Sequence, residues 1–186
     1  MRKLLPLASC LILGACWGAP STTANWVDTP DTHTFALPDQ VRSTHLELNL
    51  NLDFEAKVAT GSVTHHLKRT DPTAPFIVDT SDLSILAVTD QDGSDLVWDL
   101  ASDAGEWRGR PLTIELGAST KTVKIQYHTS PQAEAMQWLA PEQTSGKEKP
   151  FLFTQGQAIL TRSWIPLQDS PAVRVTWNAR VTAPAG

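Results

Sequence analysis

The chain is expected to fold as an all-β, mostly antiparallel and twisted domain, and three observations predict it. Leu46, Leu48, Leu50, Leu52 and Phe54 alternate with Glu47, Asn49, Asn51 and Asp53, a strict period of two that gives a strand one apolar face. Short β-like runs recur down the rest of the chain, separated by turn signals such as Asp92-Gly93, Ala104-Gly105 and Gly117-Ala118-Ser119. No segment of helix length carries an apolar stripe at helical spacing. Without helices to cross over between parallel strands, neighbours pair antiparallel.

The elements follow in order. Arg2 and Lys3 precede an apolar run that ends in Leu13-Gly14-Ala15-Cys16. A basic start, a short apolar stretch and small residues before a cut site form a secretory signal, too short to span a bilayer. Residues 1–15 are therefore read as a signal peptide. Cys16 after Leu-Gly-Ala resembles a bacterial lipobox, whose thiol is acylated and becomes the first mature residue, so Cys16 is the lipidation candidate. Two or more acyl chains would anchor the protein to a membrane that it does not span. Trp17 follows the cysteine where an aspartate would suggest inner-membrane retention, so the expected location is the cell envelope, at the outer membrane, on its periplasmic side. Residues 16–36, rich in Pro, Thr, Ser and Asp, read as a tether and entry segment.

Residues 37–186 are the expected β domain. The alternating strand at 46–54 is followed by a second at 57–69, with Thr60, Ser62, Thr64 and His66 on one face and Gly61, Val63, His65 and Leu67 on the other. A short turn between them predicts a hairpin. Further strands are expected at 76–78, 83–88, 96–98, 112–116, 122–127 and 173–182. In the last of these Val175, Trp177 and Ala179 alternate with Thr176, Asn178 and Arg180, the pattern of a half-buried strand.

Composition excludes several function classes. The net charge is −5 and the leader holds two of the basic residues, so the mature part is more acidic still, which argues against nucleic acid as a partner. The two cysteines, Cys10 and Cys16, both precede the mature body and leave it no disulfide framework or thiolate metal site. The histidines are His33, His45, His65, His66 and His128, and no pair has the one-turn spacing common in catalytic zinc sites. His65 and His66 are adjacent in a predicted strand and face opposite ways; one partly buried and one solvated imidazole are expected. No G-x-S-x-G elbow or phosphate-binding glycine loop occurs. The chain alone therefore carries no catalytic or metal-binding residues and is expected to be inactive.

The last third is the most informative. Met136-Gln137-Trp138-Leu139 leads through Pro141-Glu142-Gln143-Thr144-Ser145-Gly146-Lys147-Glu148 to Phe151-Leu152-Phe153-Thr154-Gln155-Gly156-Gln157-Ala158, then to Arg162-Ser163-Trp164-Ile165-Pro166 and Gln168-Asp169-Ser170-Pro171. Read from the residues, Gln155 and Gln157 stand two apart in an extended segment and project from one face, each with two donors and one uncharged acceptor oxygen. Gly156 leaves room for a substrate or another backbone to approach. The plainer reading is that both carboxamides satisfy loop backbone groups. Trp138, Trp164 and Trp177 are expected in core or interdomain surface rather than as a carbohydrate-stacking set.

This run resembles the end of the amino-terminal β domain in zinc aminopeptidases of the aminopeptidase N and leukotriene A4 hydrolase family, most closely the hydrolase branch. The resemblance implies a saddle-shaped β domain laid against a catalytic domain, which this chain lacks together with the H-E-x-x-H and G-x-M-E-N motifs. It implies zinc in the parent enzyme, held by ligands outside this chain, and a peptide as substrate. It implies that Gln157 holds the substrate's free amine, that Gln155 lies nearby and that the backbone at Ala158 borders the substrate channel. The hydrolase branch carries cysteine where this chain has Gly156. The competing expectation is a non-catalytic envelope lipoprotein whose β domain binds a ligand or partner.

Overall fold

The structure is a computed structural model, and it describes residues 31–102 and 108–184. The signal, Cys16, most of the tether and the Ala104-Gly105 turn lie outside the described residues. From Asp31 onward the chain forms one compact unit. Among the described residues ten strands build it: β1 (Val41–Asp53), β2 (Val58–Arg69), β3 (Phe76–Thr80), β4 (Ser84–Asp90), β5 (Trp98–Leu100), β6 (Arg110–Ile114), β7 (Thr122–His128), β8 (Met136–Leu139), β9 (Phe151–Thr154) and β10 (Thr176–Thr182). The expected all-β class is what forms, with no α-helix among the described residues.

The strands make a five-stranded sheet in the order β10-β1-β2-β7-β4, a three-stranded sheet β3-β6-β5, and the ribbon β8-β9. β1 and β2 form the expected hairpin. Its turn is closed by Asp53, whose Oδ1 accepts the backbone N–H groups of Glu55 (2.9 Å) and Ala56 (2.8 Å). A bulge falls between Ser43 and His45, and it shifts the alternation by one residue. Val41 and Ser43 face inward before it; Leu46, Leu48 and Leu50 face inward after it.

All strand pairs are antiparallel except one: β10 runs parallel to β1, from His45↔Thr176 to Asn51↔Thr182. The alternation in β10 does not produce a buried face, because every residue of this edge strand is exposed, Trp177 by 66%. The ribbon is a second departure. Neither Met136–Leu139 nor Phe151–Thr154 is long enough to show a period, yet they pair residue for residue across the Pro- and Gly-bearing loop.

Side chains of the two larger sheets share one core. Val41, Leu46, Leu48, Leu50, Val63, Val123, Ile125 and Tyr127 meet Phe76, Val78, Leu112 and Ile114, with Ile165 joining from the segment after β9. His65 lies fully inside rather than partly buried. Its ring bridges the Ser43 hydroxyl (2.9 Å) and the Pro166 carbonyl (3.0 Å). The carbonyl can only accept, so Nε2 carries the proton and Nδ1 takes the Ser43 hydrogen. His66, on the opposite face, is half-exposed and meets Glu47 at 2.6 Å.

Candidate functional site

The run that the sequence singles out begins on β8 and returns on β9. The N–H of Gln155 continues the ribbon by donating to the Ala135 carbonyl (2.9 Å). There the extended backbone stops. Residues 157–160 form a turn in which Leu160 N–H donates to the Gly156 carbonyl (2.9 Å) and the Gln157–Ala158 peptide is cis. The expectation that Gln155 and Gln157 stand in one extended segment is corrected, because the strand ends at Thr154 and Gln157 already lies in the turn.

The two carboxamides do different work. Gln155 Oε1 accepts the backbone N–H of Gln157 (3.0 Å), so this side chain braces the turn. The Gln157 side chain makes no hydrogen bond among the described residues, and Gln157 and Ala158 are both exposed. Gly156 packs closely on the next turn, since a side chain there would overlap the hydroxyl of Thr161. A cysteine at this position would force Thr161 to turn away.

Behind the turn stands a single 3₁₀ turn, Thr161–Ser163. Ser163 is buried; its hydroxyl donates to the Leu160 carbonyl (2.7 Å) and accepts the Ala135 N–H (2.9 Å). Both ends of the 155–163 loop thus converge on one residue, Ala135. Arg162 is 2% exposed. Its Nη2 donates to the carbonyls of His33 (2.8 Å) and Asp169 (3.1 Å), its Nη1 to the carbonyl of Arg108, and its Nε to Asp169 Oδ2 (3.2 Å). Asp79, fully buried, lies 3.7 Å from Nη2. It also accepts from the Thr34 hydroxyl (2.5 Å), the Phe35 N–H (2.8 Å) and the Asp169 N–H (3.0 Å). Burial raises the Asp169 carboxyl above the ordinary carboxylate range, partly offset by hydrogen bonds and charge from Arg162.

Sequence reasoning named Arg162, Ser163 and Asp169 only as part of the matched run, without a role, and passed over Asp79. A signal existed for Asp79, a lone carboxylate in the apolar run Phe76-Ile77-Val78, because a buried charge demands a partner. The tryptophans sit on different elements: Trp138 on β8, edge-on to Phe54 at 5.1 Å, Trp164 half-buried beside the core, and Trp177 exposed on β10. Among the described residues no group of three or more His, Cys, Asp or Glu could hold a metal ion. His45 binds Thr176 and Asn178 instead.

The described residues thus form a two-sheet β domain with a ribbon, and the ribbon leads into a turn that is braced by Ser163 and presents the exposed Gln157 carboxamide. The chain belongs to the peptidase M1 N-terminal domain family, whose model matches residues 42–186. It is 37% identical to leukotriene A-4 hydrolase of Xenopus laevis over 83% of its length, and 36% identical to leucine aminopeptidase 2 of Neurospora crassa over 88%. Yeast LTA4 hydrolase superposes with a TM-score of 0.79 at 32% identity, covering 87% of the chain and 26% of that structure. An M1 zinc metallopeptidase of Deinococcus radiodurans, at 17% identity and a TM-score of 0.60, covers 78% of the chain and 33% of that structure, and shows the fold alone. The chain spans only 26% and 25% of the two curated relatives.

Proposed function

We propose that this chain is the amino-terminal, cleft-lining domain of a zinc-dependent aminopeptidase that removes amino-terminal residues from peptides, with zinc bound by residues outside this chain. The observation that carries the reading is the Gln157 side chain, exposed and without a hydrogen-bond partner among the described residues, on a turn braced by Gln155 and Ser163. A carboxamide oxygen accepts from an ammonium group without adding charge, and its NH2 can donate to a neighbouring carbonyl. Gln157 would hold the substrate's amine, Gln155 would fix the backbone that presents it, and the Ala158 backbone would border the channel. The remaining partner is the protein's own catalytic domain.

Steady-state hydrolysis of an aminoacyl chromogenic substrate by the full-length protein tests this. Gln157→Ala is expected to lower kcat/KM by roughly ten- to a hundredfold, the loss of one hydrogen bond to a charged group at about 1.5 to 3 kcal/mol. Gln155→Ala is expected to lose less, since it acts through the turn. Unchanged kcat/KM in a folded, zinc-loaded Gln157→Ala enzyme would sink the reading.

The lipobox-like Leu13-Gly14-Ala15-Cys16 supports an envelope location with acylated Cys16 as the membrane anchor. Labelling cells with a clickable palmitate analogue should mark the wild type and not Cys16→Ser. Equal label in both would return Cys16 to an incidental residue behind an ordinary signal.

A further inference from the structure

Arg162 is buried and bound on several sides. A buried ion pair is a weak stabiliser compared with well-packed apolar residues, and its best-attested role is to fix one arrangement out of several. Here the guanidinium fork joins four segments at once: the entry segment at His33, the end of β3 at Asp79, the approach to β6 at Arg108, and the Asp169 stretch. Its neighbours in the same 3₁₀ turn are the residues that touch the Gln155–Leu160 turn from behind. Thr161 packs its hydroxyl against Gly156, and Ser163 ties Leu160 to Ala135. Any shift of Arg162 along the chain therefore moves both supports of the turn together.

We infer that Arg162 is a positioning residue for amine recognition, setting the place of the Gln157 carboxamide through Thr161 and Ser163. This rests on the reading of Gln157 given above. Lysine at this position would keep the charge but not the planar fork, and three donors on one nitrogen cannot reach carbonyls and carboxylates lying in several directions. Asp169→Asn would loosen the same grip from the other side, because Asp169 Oδ2 accepts both the side-chain Nε and the backbone N–H of Arg162.

The test is a double-mutant cycle in the full-length protein, reading kcat/KM on an aminoacyl chromogenic substrate with zinc content and melting temperature as controls. Arg162→Lys is expected to lower kcat/KM roughly tenfold, and the same substitution in a Gln157→Ala background is expected to change it by less than about twofold, since the group it positions is gone. Equal losses in both backgrounds would assign Arg162 a merely structural role and overturn the inference while leaving Gln157 in place. A Gln157→Ala enzyme with unchanged kcat/KM would overturn the reading of Gln157, and this inference with it. Should Arg162→Lys fail to fold, Asp169→Asn carries the same cycle: its effect must collapse in the Gln157→Ala background, and additivity there sinks the proposal.

Discussion

His65 couples stability to pH. Burial pushes its imidazole down to about 4 from the ordinary 6.5, with the hydrogen bond to Pro166 opposing and the charge of His66 adding a little. The folded state therefore prefers the neutral ring. Above pH 6.5 the ring is neutral in both states and its full contribution is present; between 6.5 and 4 only the unfolded chain takes up the proton, and stability falls. From pH 7 to 5 the loss from this one group is about 2 kcal/mol. Urea unfolding of the isolated domain at both pH values measures it, and His65→Gln is expected to flatten the slope by that amount. A slope that survives the substitution would place the acid sensitivity elsewhere.

At the scale of elements, the hairpin shows how far local pattern reaches. The β1–β2 pairing was legible because the alternation and the short turn agree. Gly61 permits a close approach of the two strands, for a methyl group there would overlap the backbone carbonyl oxygen of Asn49 on β1, and backbone cannot rotate aside. Gly61→Ala is expected to destabilise by about 1 to 3 kcal/mol. Gly146→Ala, where nothing lies within reach, should stay within about 0.5 kcal/mol; similar urea midpoints for the two variants would refute the close approach. The ribbon β8-β9 was not legible, because four residues cannot display a period and its register depends on a partner across a loop. The same limit explains β10, whose alternation is real while its burial depends on neighbours that a local pattern does not specify. In the candidate site, a matched run singled out Gln155, Gln157 and Ala158, but the turn at 157–160 was not legible, since Thr161, Ser163 and Ala135 brace it together.

The described residues hold a main core between the two larger sheets and a smaller cluster of Ala59, Ala133 and Met136 beside the ribbon, and they bring no group of metal ligands together. Residues 17–186 purified alone are expected to give a β-rich circular dichroism spectrum, to melt cooperatively, and to retain no stoichiometric zinc after mild chelation. Metal analysis checks the last point, and one firmly held zinc per chain would contradict the assignment of its ligands to another domain. Such a preparation should also bind a hydrophobic dye, because Trp177, Val181, Phe151 and Phe153 are exposed.

The parallel pairing of β10 with β1 sets a schedule for biosynthesis. His45 meets Thr176 across 131 residues of sequence, and Arg162 closes on the His33 carbonyl across 129. Closing loops of that span is slow, and on the ribosome it cannot begin until the last strand has left the exit tunnel. Until then the outer edge of β1 stands unpaired and open to other chains.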